Sequence, residues 1–362
     1  MKKTDLNFSD RVVKWFRREA RDLPWRRTKD PYYIWVSEIM CQQTGVSTVV
    51  PYFLNFVQKF PTLKQLADSE ESEVLKAWEG LGYYRRARNF HAAAKIVMRD
   101  FAGVIPDRFE LIRKLPGIGD YTAGAILAIA YQKPYAAVDG NLYRIYSRHL
   151  ALLEPIDVRQ TQKKLWKYAQ SQLPTRASKL RDFTEGMMDL GAQICRPRDP
   201  DCDRCPLKED CLAKKMNRQQ KLPIKSVSKT RTKHWEKIYL SRKHGRIAVL
   251  PGGADPRYPD FHRLPFETMT FTQLRGRRAS LKYSITNRDY FIEIIKTHLP
   301  KKYLKRIKWR RECELEGLVF PAIDRKIIKN HLLEYSRGDR KPSKYSASNC
   351  KRSSVQRRLV RE

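Results

Sequence analysis

The chain has 362 residues, with 74 lysines and arginines against 39 aspartates and glutamates, a formal net charge of +35. This length exceeds what one hydrophobic core normally supports, so we predict two domains. Because so large a charge disfavours the compact state unless a polyanion binds, nucleic acid is the expected partner. A membrane surface is the alternative, but the cations are spread along the chain instead of gathered on one amphipathic helix.

The N-terminal stretch, residues 1–20, has the basic start of a signal peptide. Asp5 and Asp10 interrupt any apolar segment there, and residues 12–16 suggest one face of an amphipathic helix instead. No stretch approaches the roughly 20 apolar residues that a membrane-spanning helix needs. We therefore expect a cytoplasmic protein that does not contact the membrane. In that reducing compartment, clustered cysteines indicate metal ligands and not disulfides.

The spacing of apolar residues predicts a mainly α chain in which the apolar pattern changes once. Residues 1–217 have helical periodicity almost throughout, with strand alternation nearly absent. Residues 218–233 have few large apolar side chains and a proline, which predicts a linker. Residues 234–335 combine short alternating runs with a helical pattern and predict a small α+β domain. Residues 336–362 are basic and rich in serine, which predicts a disordered tail.

Four cysteines lie in one polar loop, residues 195–211. Six, two and five residues separate Cys195, Cys202, Cys205 and Cys211. Structural zinc sites usually have two short CxxC-like pairs, and only one tight pair is present here. Four thiolates on one compact loop instead suit a cubane iron–sulfur cluster. A zinc site or free thiols are the alternatives.

This spacing, directly after the apolar segment FTEGMMDLGAQIC, resembles the iron–sulfur loop of the endonuclease III and MutY DNA glycosylases. The resemblance covers residues 1 to about 215. It implies a helix-hairpin-helix glycosylase core with one 4Fe–4S cluster that acts as scaffold. Arg196 and Arg198 of the loop are then expected to hold DNA phosphates, with an ordinary solvated surface as the alternative.

The segment LPGIGDYTAGAI, residues 115–126, predicts a tight turn between two helices. Gly117 and Gly119 leave backbone N–H groups uncovered at the turn, and the start of the next helix adds unpaired donors. Such a turn binds anions, and the segment resembles the helix-hairpin-helix element that contacts DNA phosphates in this superfamily.

Two carboxylates are candidates for the chemistry. Glu38 lies in the apolar segment WVSEIMCQQT, where desolvation should raise its pKa and keep it protonated near neutrality. The resemblance implies that Glu38 protonates N7 of adenine; a solvent-facing glutamate is the alternative. Asp139 in AAVDGNLYRI matches the catalytic aspartate of the superfamily, with Asn141 orienting it, although an aspartate before glycine is often only a helix N-cap.

Position 121 bears on the type of reaction. Glycosylases that also cut the strand carry a lysine at this place, which forms a Schiff base with the sugar, whereas this chain carries Tyr121. We therefore expect base removal without strand cleavage. The resemblance further implies two groups of contact residues. They are an adenine pocket of Trp25, Arg26, Val46 and Glu185, and a wedge of Gln43 and Tyr83 that fills the base stack after flipping.

Residues 234–335 resemble a reduced form of the Nudix-like domain with which MutY enzymes read 8-oxoguanine. Tyr283 and Ser284 of the segment KYSITN stand at the lesion-reading positions of a loop in that domain, and Ile285 stands where relatives often carry histidine. The implied function is excision of adenine mispaired with 8-oxoguanine or guanine in double-stranded DNA, by a monomer. A strand-cutting enzyme of the endonuclease III type and a non-catalytic protein that binds damaged DNA are the alternatives.

Overall fold

The chain divides into two units, residues 1–228 and residues 229–362. A computed structural model describes residues 7–226, 231–269, 279–285, 288–296 and 299–338.

The first unit is built from twelve helices in its described part, 7–226. They are α1 (Phe8–Glu19), α2 (Pro31–Cys41), α3 (Val46–Lys59), α4 (Leu63–Asp68), α5 (Glu71–Ala77), α6 (Arg85–Asp100), α7 (Phe109–Ile112), α8 (Asp120–Ala130), α9 (Gly140–His149), α10 (Arg159–Ser171), α11 (Leu180–Asp189) and α12 (Leu212–Lys215). Short 3-10 turns span Pro24–Arg27 and Ala177–Lys179, and a π turn, Leu190–Ile194, continues α11.

Two apolar helices, α2 and α8, pack against each other inside this unit. Each is apolar around most of its circumference, so each buries nearly all of its side chains, as expected for a helix without a polar face. A Cβ atom at Gly124 of α8 would overlap the carbonyl oxygen of Ala136. Because Gly124 lacks that atom, the segment that leads to Asp139 can run directly against α8.

The segment after α12 packs on the first unit in its described part. Leu222 is buried, and the N–H of Ile156 donates to the carbonyl of Ile224 over 3.0 Å. The first strand of the next unit begins at Thr232. The predicted linker, residues 218–233, is therefore partly packed chain and partly strand. Its few apolar residues are enough to hold the segment in place because they pack on the core of the first unit.

The second unit has two sheets in its described residues. The strands are β1 (Thr232–Tyr239), β2 (Arg242–Lys243), β3 (Arg246–Val249), β4 (Phe266–Met269), β5 (Leu281–Ile285), β6 (Arg288–Ile295) and β7 (Lys308–Arg311), followed by α13 (Glu312–Gly317) and α14 (Ala322–Gly338). One sheet has the order β4-β1-β6-β5, with β1 and β6 parallel, and the other has the order β2-β3-β7. Ile238, Ile292 and Phe320 lie in the core between sheets and helices.

The predicted fold class, mainly helical with a small α+β domain after it, is confirmed. Most of the predicted tail, 336–362, lies outside the described residues, and residues 336–338 belong to the last turn of α14. Among the helices of the described ranges, none is both long and apolar enough to cross a membrane.

Candidate active site

Glu38 lies inside the first unit because α2, which carries it, is buried along most of its length. Burial raises the pKa of its carboxyl to about 7, a hydrogen bond with Tyr121 lowers it, and the charges of Glu185 and Asp139 raise it. Its Oε2 atom is buried and has no hydrogen-bond partner in the described part of the chain. The carboxyl therefore holds a proton close to neutral pH, with one oxygen unengaged.

Asp139 is the N-cap of α9. Its Oδ1 atom accepts from the backbone N–H groups of Asn141 and Leu142, and its Oδ2 atom accepts from the Asn141 side-chain amide, each over 2.9 Å. The capping role considered from the sequence is thus present, and Asn141 holds the second oxygen. The catalytic role of Asp139 stays a prediction.

Tyr121 lies in the first turn of α8, close to both carboxylates. Burial raises the pKa of its hydroxyl well above the ordinary value, and the charges of Glu38 and Asp139 raise it further. The hydroxyl therefore stays neutral and donates a hydrogen bond to the Glu38 carboxyl. Three separate elements, α2, α8 and the start of α9, bring these three side chains together.

Glu185 of α11 is buried in a network of arginines. Burial raises the pKa of its carboxyl, whereas Arg26 and Arg181 lower it. The Nε atom of Arg26 lies 3.5 Å from Oε2 of Glu185. The same guanidinium donates to both carboxylate oxygens of buried Asp189 over 2.8 and 2.9 Å. Of the predicted pocket residues, Arg26 is thus occupied with holding α11 in place, and Glu185 is the group that it orients.

Of the other two predicted pocket residues, Trp25 packs against α3 and Val46 begins that helix. Trp25 is buried, and its ring meets Phe53 edge-on with centroids 5.2 Å apart. Val46 is the first residue of α3 and is partly exposed. Their contact with a base stays a prediction.

The predicted hairpin consists of α7, the turn at residues 113–119 and α8. Gly117 has a left-handed φ of 81°, and a Cβ there would lie 2.9 Å from that of Asn89, so the turn requires glycine. Gly119 is the N-cap of α8, and no side chain caps the helix start. Asp120 is the first residue of the helix, and its carboxylate pairs with Arg113. The backbone donors at this helix start are available to a phosphate.

The four cysteines of the loop line one cavity together with Arg148 of α9. Burial raises the pKa of the Cys205 thiol, and the neighbouring Cys195 and Cys211 raise it further, since all lie close together. Arg148 is buried, and its Nη1 atom lies 3.4 Å from the Cys195 sulfur. A buried cation beside four thiols fits an anionic cluster. Within the described ranges, no three or more His, Cys, Asp or Glu side chains are arranged to hold a single metal ion.

Comparison with known proteins places this geometry in a family. A sequence profile described as "HhH-GPD superfamily base excision DNA repair protein" matches residues 36–171, a range that contains Glu38, the hairpin and Asp139. A solved structure titled as a thermostable thymine-DNA glycosylase is 31% identical, with a TM-score of 0.53 over 58% of this chain and 95% of that one. The chain belongs to the HhH-GPD superfamily.

Curated relatives share a higher sequence identity with this chain. The "Adenine DNA glycosylase" of Buchnera aphidicola subsp. Acyrthosiphon pisum (strain APS) is 42% identical over 228 residues, which cover 63% of this chain and 65% of that protein. The Homo sapiens protein of the same name is 38% identical over 225 residues, covering 59% of this chain and 41% of that protein. The chain thus matches less than two thirds of the length of each of these two curated relatives.

The predicted wedge residues of this HhH-GPD protein lie on two turns. Gln43 and Tyr83 are exposed, and both have left-handed backbone conformations, with φ of 56° and 49°. The sequence did not indicate what holds these turns. The structure assigns that role to Arg86, which follows the motif GLGYY and hydrogen-bonds both turns.

Sequence reasoning also missed two arginines that join α9 to the cysteine loop. Arg144 donates to the carbonyls of Cys195 and Gly191 over 2.8 Å each. Arg148 donates to the carbonyls of Arg196 and Pro197 over 2.6 and 3.0 Å. The only available signal was their spacing of four residues on one helix. The predicted phosphate-binding residues Arg196 and Arg198 are exposed on the loop.

The predicted lesion-reading residues lie in strand β5 and not in a loop. Tyr283 stacks on Tyr290 of β6 with ring centroids 4.9 Å apart and packs on the core of the second unit. Ser284 is exposed and donates to Asp289 over 2.6 Å. Because alternate residues of a strand point to opposite faces, the structure does not bring these two side chains together.

Proposed function

We propose that the chain is a DNA repair glycosylase that hydrolyses the N-glycosidic bond of mispaired adenine and leaves the DNA strand intact. The single observation that carries the proposal is that the buried carboxyl of Glu38, whose pKa is raised to about 7, lies close to the capped carboxylate of Asp139. The curated relatives named adenine DNA glycosylase support adenine as the base.

Glu38 acts as the general acid. With a pKa of about 7, its carboxyl carries a proton in a large fraction of molecules at neutral pH and can deliver it to N7 of an adenine that has left the base stack. The protonated base departs with the electron pair of the glycosidic bond, and Glu38 is left as a carboxylate. Tyr121 stabilises that carboxylate by donating a hydrogen bond to it.

Asp139 acts on the sugar. Loss of the base leaves an oxocarbenium-like sugar, whose positive charge a carboxylate stabilises or traps covalently. The three N–H donors of Asn141 and Leu142 bind both oxygens of Asp139 and thereby fix the orientation of its carboxylate. Water then adds to the anomeric carbon and passes a proton to the Glu38 carboxylate, which completes the hydrolysis and restores the acid. Tyr121 has no amine to form a Schiff base, so no strand cleavage follows.

The loop thiols would hold one 4Fe–4S cluster. Its ligands would be Cys195, Cys202, Cys205 and Cys211, and when bound it would supply a rigid support for the loop and no step of the reaction. Exposed Arg196 and Arg198 then meet DNA phosphates together with the helix start at Gly119.

The second unit is proposed to read the lesion opposite the adenine. Ser284 is the candidate contact, since its hydroxyl is exposed, whereas Tyr283 supports the strand from the core side. The proposed substrate is double-stranded DNA with 8-oxoguanine·adenine or guanine·adenine pairs, bound by a monomer. The net charge of +35 supports a polyanionic substrate.

A glycosylase assay on an 8-oxoguanine·adenine duplex tests the proposal. The protein should release adenine, and strand breaks should appear only after alkali. Glu38→Gln should lose roughly 10²–10⁴-fold in single-turnover rate and still bind the duplex. Glu70→Gln, at an exposed N-cap whose side chain makes no capping hydrogen bond, is the matched control and should keep the full rate.

The same assay separates the other two functions. Strand breaks without alkali would favour an enzyme of the endonuclease III type. Tight duplex binding without adenine release would favour a non-catalytic protein that binds damaged DNA. Either result contradicts the proposal.

A further inference from the structure

Arg86, in the first turn of α6, donates hydrogen bonds to the backbone carbonyls at the end of α2. Its Nη1 atom donates to Ile39 and Met40 over 2.9 and 3.0 Å, and to Gln42 as well. The last carbonyls of a helix lack partners within the helix, so an outside donor is needed to satisfy them. Arg86 thereby fixes the chain as it leaves α2, directly before Gln43.

The other nitrogen of the same guanidinium fixes the second turn. The Nη2 atom donates to the Gly82 carbonyl and to the Thr44 hydroxyl, each over 3.2 Å. The guanidinium also lies over the Tyr83 ring, 5.7 Å from its centroid, and over the Trp78 ring at 5.5 Å. One side chain thus bridges two turns that lie about 40 positions apart in the sequence.

Each of these turns presents one exposed residue in a left-handed conformation, Gln43 on the first and Tyr83 on the second. L-residues other than glycine rarely adopt this conformation, which persists only where the surrounding structure imposes it. Arg86 makes the contacts that impose it on both turns. An exposed glutamine and an exposed tyrosine on two turns joined by one guanidinium suit insertion into a space from which a base has left.

We propose that Arg86 is a positioning residue that sets Gln43 and Tyr83 in one fixed relation, so that both enter the DNA base stack together. The inference rests on the proposed function, because it concerns how adenine is extruded before its bond is broken. The guanidinium suits the task, since its planar fork donates in several fixed directions at once. A lysine keeps the charge but cannot bridge both turns.

Arg86→Lys is the test variant, and Arg88→Lys is its matched control on the same helix. Arg88 donates to Glu71 of α5 over 3.0 Å. In single-turnover assays on a guanine·adenine duplex, Arg86→Lys should slow adenine release by about 10- to 100-fold, as expected for misplaced positioning groups. Arg88→Lys should match the unaltered protein.

A second substrate separates extrusion from chemistry. When mismatched pairs flank the adenine, the base is already poorly stacked, and extrusion costs less. The rate of Arg86→Lys should then recover to within about threefold of the unaltered protein, because Glu38 and Asp139 are unchanged. The pH midpoint of adenine release should also stay the same. The fluorescence of 2-aminopurine placed beside the adenine should rise more slowly in Arg86→Lys than in Arg88→Lys.

A milder variant covers the case in which Arg86→Lys does not fold. Thr44→Val removes one contact with the Nη2 atom and should slow release from the intact duplex by about threefold, with the same recovery on the mismatched duplex. Tyr83→Ala combined with Arg86→Lys should cost no more than the larger single effect, because both changes disable the same wedge.

Two results would overturn the inference alone. One is an Arg86→Lys or Thr44→Val variant with equal losses on both substrates, which would place the defect in the chemical step. The other is additive losses in the double variant. If the unaltered protein itself releases no adenine, the proposed function fails first and this inference fails with it.

Discussion

The Tyr121 hydroxyl and the Glu38 carboxyl share a hydrogen bond within the first unit, and this bond opposes the larger effect of burial on the Glu38 pKa. The pair therefore determines the pH range in which Glu38 carries a proton. Since the Tyr121 hydroxyl stabilises the carboxylate form of Glu38, removing this hydroxyl should raise the Glu38 pKa.

Tyr121→Phe should raise the pKa of Glu38 above about 7. The protonated acid then persists to higher pH, so the falling limb of the pH–rate profile of adenine release should move upward. Tyr131→Phe, at the other end of α8, loses a hydroxyl that donates to the Ile105 carbonyl over 2.6 Å and should leave the limb in place. A downward shift in Tyr121→Phe would contradict the proposed contact.

Glu38 should also make stability depend on pH. Its carboxyl pKa is raised from 4.5 to about 7, so the folded state holds a proton that the unfolded chain has lost between these values. The free energy of unfolding should therefore fall as pH rises through this range, by about 3 kcal/mol in total, and then level off. Urea titrations of Glu38→Gln should lack this component. A constant difference between the two proteins from pH 4 to pH 8 would show that burial does not shift the carboxyl.

Asp139→Asn should separate catalysis from capping. Asparagine caps helices about as well as aspartate, so the free energy of unfolding should change by no more than about 1 kcal/mol. Adenine release should nevertheless fall by at least about 100-fold, because the charge that stabilises the sugar is lost. Asp30→Asn makes the same change at the N-cap of α2, where Asp30 accepts from Tyr32 over 2.8 Å, and should retain activity. Similar rates for both variants would leave Asp139 with a structural role only.

The cysteine loop should bind iron. Purified anaerobically, the protein should be brown and contain about four irons per chain. Cys202→Ser should lose iron and bind DNA less tightly, whereas Cys313→Ser, at an exposed cysteine of the second unit, should keep both properties. Metal analysis that finds one zinc per chain and no iron would contradict the cluster.

Lesion discrimination should depend on the exposed face of β5. Ser284→Ala removes a hydroxyl that can contact the base opposite adenine, so the preference for 8-oxoguanine·adenine over guanine·adenine should narrow by about 1–3 kcal/mol. Ser280→Ala, directly before the strand, is the matched control and should keep the preference. The ratio of single-turnover rates on the two duplexes measures this preference. An undiminished ratio in Ser284→Ala would show that this hydroxyl does not recognise 8-oxoguanine.

The sequence indicated those features of the site that depend on the type and spacing of side chains within one short segment. An acidic residue within an apolar helix predicted the raised pKa of Glu38, and the spacing of four cysteines predicted that they share one site. Arg86 and Arg144 gave no such signal, because their partners are backbone carbonyls on segments far away in the chain. A carbonyl is common to every residue, so the sequence does not mark which ones need a donor.

The second unit shows a different limit. The alternation in KYSIT was compatible with a strand, but the resemblance favoured a loop, and only the pairing of β5 with β6 decides between them. That pairing turns Tyr283 toward the core and Ser284 outward. One residue of register therefore decides which of the two side chains can meet DNA.

Arg144 and Arg148 make the cysteine loop inseparable from the helix that Asp139 begins. Their guanidinium groups are satisfied by loop carbonyls, so a loop taken from another protein would fit only if it offered carbonyls at the same places. A design that deletes the loop would leave two buried cations on α9 with only the carbonyls of Gly191 and Leu222 as partners. Transplanting this loop as an independent module should therefore fail, whereas exchanging loop and α9 together should succeed.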